Sequence, residues 1–197
     1  SHLGIQSVGT ALGGADAGNY TFAGMTGDYT VTRATLTASL TGLVSRTYDG
    51  TTGATLAAGN YGLAGAVGGD AVTLNNPTSG SYDSKHAGSG KTVTVTGLAL
   101  SGADAGNYTV ASMVSGAVGQ IDPRALTATL SSGTSVYGAA LAPGTLTFTN
   151  VVAGDTVTGG PVVVNTTGLT STSGNLIAGS HLGIQSVGTA LGGADAG

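Results

Sequence analysis

Polar and apolar residues alternate along short stretches of this chain, the pattern of strands with one face turned into a core. The clearest stretch is 91–100, where Val93 and Val95 fall on one side and Thr92, Thr94 and Thr96 on the other. Residues 34–40 repeat the rule, with Leu36, Ala38 and Leu40 set against Thr35, Thr37 and Ser39. Shorter strands are expected at 3–8, 19–23, 29–32, 43–48, 71–74 and 118–121. Beyond them lie 126–130, 134–137, 146–148, 156–157 and 162–164. Turn signals separate these stretches: Gly59-Asn60, Gly69-Asp70 and Asn75-Asn76-Pro77, the last ending a strand because proline cannot donate to a ladder.

One stretch organises the rest. Leu100-Ser-Gly-Ala-Asp104-Ala-Gly106-Asn107-Tyr108-Thr-Val110 occurs also as Leu12-Gly-Gly-Ala-Asp16-Ala-Gly18-Asn19-Tyr20-Thr-Phe22. It begins a third time at Leu191 and reaches Asp195 and Gly197. Gly and Asp read as a tight turn, and the tyrosine with the apolar residue two further on as one face of the following strand. That spacing matches the tyrosine corner of immunoglobulin-like sandwiches, in which a tyrosine hydroxyl bonds back to upstream backbone. The structural corner residues are therefore Asp16, Gly18 and Tyr20, and Asp104, Gly106 and Tyr108.

Composition narrows the class. All nine acids are Asp, Lys and Arg total five, and 37 residues are Gly, so little is present to build helix surfaces. Thr and Val favour strands. The net charge of −4 gives no attraction to nucleic acid or an anionic membrane surface, and no apolar run is long enough for a membrane span. Without cysteine there are no disulfides, thiolate metal sites or thiol nucleophiles.

Residues 180–197 are identical to residues 1–18, giving a long period of 179 residues from position 1 to position 180. Within it the corner Asp recurs at 16, 104 and 195, about every 90 residues, the size of an immunoglobulin-like sandwich. Val67-Gly-Gly-Asp70 is answered by Val152-Ala-Gly-Asp155, and Arg33-Ala-Thr-Leu by Arg124-Ala-Leu. The run Arg46-Thr-Tyr48-Asp49-Gly50-Thr-Thr52, with 91–98 and the Tyr108 stretch, resembles the YDG repeat domain of filamentous-haemagglutinin-like, two-partner-secreted bacterial surface proteins. From Arg124 through Val136-Tyr137-Gly138 and Gly154-Asp155 the chain resembles the MBG-type bacterial Ig-like domain that alternates with it. The resemblance implies an all-β fold of tandem immunoglobulin-like β-sandwich modules in an adhesin, and it carries no catalytic residues.

The expected organisation is 1–33 as the C-terminal part of an MBG-like module, 34–122 as the YDG-type module, and 123–197 as the N-terminal part of a second MBG-like module. What the last segment lacks is spelled out at the other end of the molecule, in residues 19–33. Two readings stay open. Repeats continue head-to-tail within one long chain, or residues 19–33 of one molecule complete the open sheet of the next as a filament.

Candidate chemistry is sparse. The three His do not fall at ligand spacing, and no nucleophile elbow or paired acids appear. Calcium is the one cofactor with candidate ligands, Asp70, Asp104 and Asp122, although no D-x-D-x-D run is present and Asx turns explain each locally. Lys85 and Lys91 are the only side-chain amines available for an intramolecular crosslink, and Lys91, at a strand start, is expected to face solvent. Tyr48, Tyr61 and Tyr82 could stack on sugar rings or pack inside. The expected function is a non-enzymatic structural repeat of a secreted bacterial surface fibre that gives length and cohesion for adhesion or a biofilm matrix. The alternative is a module that binds a host or matrix glycan.

Overall fold

The computed structural model describes residues 2–193, which contain strands and three single 3-10 turns but no α-helix. The strands are β1 (His2–Val8), β2 (Met25–Tyr29), β3 (Ala34–Thr35), β4 (Thr37–Leu40), β5 (Val44–Thr47), β6 (Gly53–Thr55) and β7 (Tyr61–Ala64). Next come β8 (Thr73–Leu74), β9 (Ser79–Tyr82), β10 (Gly88–Thr96), β11 (Leu100–Ser101), β12 (Tyr108–Thr109) and β13 (Met113–Asp122). The last are β14 (Ala128–Leu130), β15 (Leu146–Phe148), β16 (Thr158–Gly159), β17 (Val162–Val164), β18 (Gln185–Val187) and β19 (Leu191–Gly192). The chain is thus all-β, and β10 carries the expected alternation to completion: Val93 and Val95 are both fully buried.

Two compact units divide the chain, each built from separated segments. The first comprises Ser1–Ala38, Leu63–Asn75 and Leu98–Ser112. In it β1 pairs antiparallel with β2, β8 with β11, and β3 runs parallel to β12. Leu36, between β3 and β4, donates its N–H to the Thr109 carbonyl at 2.8 Å, so the strand expected as one continuous run breaks here. Leu36, Leu74, Leu98 and Tyr108 are the buried side chains of this unit.

The second unit comprises Ser39–Gly62, Asn76–Gly97 and Met113–Gly197. Its centre is a five-stranded sheet in the order β5-β13-β10-β9-β6, in which only the β5–β13 pair is parallel. Val44, Ala54, Leu56, Tyr82, Val93, Val95 and Ile121 form its buried apolar set. The remaining strands make two-stranded pairs: β14 with β15, β16 with β19, and β17 with β18.

Two expected strands are absent and two are displaced. Residues 19–23 are irregular after the 3-10 turn, and the closing strand lies at β2, earlier than 29–32. Residues 134–137 enter a turn in which Ala139 N–H bonds the Val136 carbonyl and Gly138 takes φ +83°. Two polar residues precede two apolar ones at Thr134-Ser135-Val136-Tyr137, so the stretch lacks the polar–apolar alternation of a half-buried strand. The strand expected at 156–157 forms two residues later, as β16.

Every buried side chain among the described residues lies between Leu36 and Ile121. Among the side chains described, the flanking segments before Ala34 and after Asp122 bury none, and leave Leu3, Val8, Tyr20, Val136 and Leu182 largely exposed.

Candidate functional site: two tyrosine–aspartate locks

The first lock is built on the turn before β12. Gly102 has φ +113°, a conformation L side chains rarely adopt, and a side chain there would strike the Ala71 carbonyl. Asp104 (φ −99°, ψ 3°) then opens the 3-10 turn Ala105–Asn107. Its carboxylate accepts the Ala71 N–H at 2.8 Å, and its own N–H donates to the Ala71 carbonyl at 3.1 Å. Tyr108 follows with its ring 4% exposed. Its hydroxyl accepts the Val67 N–H at 3.0 Å and donates to the Asp70 carboxylate. That bond to an anionic acceptor holds the Tyr108 pKa above its ordinary value. The tyrosine thereby fastens the 67–70 turn, itself closed by Asp70 N–H to the Val67 carbonyl, to β12.

The first copy of the stretch has the same turn without the lock. Asp16 adopts φ −99° and ψ 7°, and Ala17–Asn19 form the same 3-10 turn. Yet Tyr20 is 71% exposed, which corrects the expectation that both tyrosines close a corner. The third copy's Asp195 and Gly197 lie outside the described residues. Gly18 and Gly106 both sit within the 3-10 turn without a positive φ, and the left-handed positions are Gly14 and Gly102.

The second lock was not legible from spacing. Tyr48, Asp49 and Gly50 follow β5 and meet the 152–155 turn. The Tyr48 hydroxyl donates to the Asp155 carboxylate at 2.6 Å, and Lys85 Nζ pairs with the other carboxylate oxygen at 2.8 Å. The Asp155 side chain is only 5% exposed. Its bonds from Lys85 and Tyr48 hold its pKa below the ordinary carboxylate value, while the Tyr48 pKa is raised, chiefly by the bond to Asp155. Gly50 (φ +82°) is required because a Cβ there would lie 2.7 Å from Val152 Cγ1. Asp49 turns the other way: it accepts the Thr51 N–H at 2.8 Å and pairs with Arg46 at 2.7 Å. Arg46 in turn lies over the Tyr82 ring, 5.3 Å from its centroid. The available signal was the match of Val152-Ala-Gly-Asp155 to Val67-Gly-Gly-Asp70, because each Asp ends a turn and accepts a tyrosine hydroxyl.

The calcium candidates are occupied by protein donors. Asp70 takes Tyr108, Asp104 takes Ala71, and Asp122 accepts Gln120 Nε2 at 2.6 Å. Among the described residues no three acids or histidines gather as a metal group. Lys91, expected in solvent, is buried within β10, where Nζ reaches Ser84 Oγ at 2.6 Å and Asp83 at 3.0 Å. The tyrosines weighed for sugar stacking are engaged as well. Tyr82 is buried with its hydroxyl donating to the Val44 carbonyl at 2.9 Å, and Tyr61 donates to the Pro77 carbonyl. The polar groups at both locks are spent on holding backbone segments together.

Residues 32–115 fit the family model described as YDG domain, which identifies this stretch as a YDG-type domain. The match contains Tyr48-Asp49-Gly50, the first lock and ten of the eleven buried apolar side chains, Ile121 lying just beyond it. No curated protein and no solved structure matches the chain.

Proposed function

We propose, from the YDG-type domain at 32–115, that this chain is a structural repeat of a large secreted bacterial surface fibre, supplying length and cohesion for adhesion or a biofilm matrix. The observation that carries the reading is the identity of residues 180–197 with residues 1–18. A unit that begins again with its own opening segment is a unit of a tandem array. The proposed modules are immunoglobulin-like sandwiches at 34–122 and, split between 123–197 and 1–33, a second kind that alternates with it. The Tyr48–Asp155–Lys85 contact supports this reading, since it fastens the YDG-type stretch to the segment that follows Asp122-Pro123. A joint of this kind resists bending, so successive units would add length.

Small-angle scattering of one, two and three covalent copies of the 179-residue period tests it. The maximum dimension is expected to grow in proportion to copy number. Growth that flattens, as for copies packing into one globule, overturns the reading.

A further inference from the structure

Two parallel strand pairs tie residues near the start of the YDG-type stretch to residues near its end or just past it. In the first unit β3 runs parallel to β12, with Ala34 beside Tyr108 and Thr35 beside Thr109. In the second unit β5 runs parallel to β13, with Val44, Ser45, Arg46 and Thr47 beside Gly119, Gln120, Ile121 and Asp122. The Tyr48 N–H, donating to the Asp122 carbonyl at 2.8 Å, carries that ladder one residue further. Apolar burial backs it: Val44 is 3% exposed and Ile121 1%. The Tyr82 hydroxyl, which donates to the Val44 carbonyl, also lies 3.5 Å from the Gln120 carbonyl, so one side chain spans both strands. Gly119 permits that approach, since a Cβ there would lie 2.7 Å from the Tyr82 ring. On its other edge β13 is held by β10.

Direction decides what the β5–β13 pair does under tension. In a parallel pair the N-terminal end of one strand and the C-terminal end of the other lie at opposite ends of the ladder. Tension that enters before Val44 and leaves after Asp122 therefore draws β5 and β13 lengthwise past each other. The bonds of the ladder then carry the load together, and the buried Val44 and Ile121 side chains must slide with them. An antiparallel pair loaded at the same two termini opens from one end, one bond at a time. Forced unfolding is governed by the rate of leaving the native state, and that step is slower where the bonds must break together. We propose that the β5–β13 pair is a tension-bearing clamp, which keeps the YDG-type stretch folded when the chain is pulled from both of its flanks. The proposal rests on the fibre reading above for the source of the tension. It adds the strands that bear the load and the direction in which they are strong.

The chain has no cysteine, so two introduced thiols are unique attachment points for an optical trap. In the full chain, Leu43→Cys with Arg124→Cys loads the pair lengthwise. Thr52→Cys with Arg124→Cys pulls both strands at one end, beyond Thr47 and Asp122, and peels the same bonds apart. All three side chains are exposed, and each double variant is expected to keep the urea midpoint of the parent. At one loading rate the lengthwise pull is expected to need at least about twice the rupture force of the peel. Its rupture is expected to release about 280 Å of extended chain, which assigns the event to the residues between the two thiols. Equal forces in the two directions, or a stronger peel, overturn the proposal. Equal forces together with scattering that still lengthens in proportion to copy number strike the clamp and leave the fibre reading standing. A stronger lengthwise pull supports the clamp whatever the scattering shows, because it reads the strands themselves and not their arrangement in an array.

Discussion

The glycines of the repeated turn separate by what surrounds a missing side chain. Gly102 holds φ +113° against the Ala71 carbonyl, whereas Gly106 has ordinary φ and open space around its Cβ position. Gly102→Ala is therefore expected to cost about 1–3 kcal/mol from backbone strain, before the collision is added. Gly106→Ala is expected to be neutral or to stabilise by up to about 1 kcal/mol, by restricting the unfolded chain. Urea unfolding of the two variants measures both. The sequence shows two glycines flanking Asp104, and only the backbone conformation says which of them turns the chain.

At the scale of elements, the joint between the segment after β5 and the 152–155 turn is electrostatic and so depends on pH. The Asp155 pKa is lowered in the folded protein, so its contribution is present above the unfolded carboxylate value and is lost as pH falls through the folded one. The Tyr48 pKa is raised, so its contribution is present below the unfolded phenol value and is lost as pH rises through the folded one. Between about pH 4 and pH 10 both are intact. Thermal melting across pH should show Asp155→Asn flattening the acid limb and Tyr48→Phe flattening the alkaline limb, each with a lower plateau between. Strand alternation revealed β10 and β15 because both faces of those runs are written in neighbouring residues. It gave no support at 134–137, where two polar residues precede two apolar ones and no strand forms.

For the whole molecule, burial is unequal along the chain. Leu56 is 4% exposed and Leu182 is 91% exposed, so the same substitution has different consequences at the two sites. Leu56→Ala is expected to cost about 2–5 kcal/mol, and Leu182→Ala no more than about 0.5 kcal/mol, in chemical denaturation. A Leu182→Ala cost as large as that of Leu56→Ala would place a second core in 123–193. The sequence by itself determined the all-β class, the period of 179 residues and the YDG-type stretch, because alternation, identity and motif are properties of order along a chain. Tertiary structure alone decided that Tyr108 is locked while Tyr20 is bare, that Lys91 is buried, and that Asp155 is the acceptor for Tyr48 and Lys85. Identical local sequences form identical turns, but a hydroxyl or an ammonium is satisfied only by a group brought to it from far along the chain.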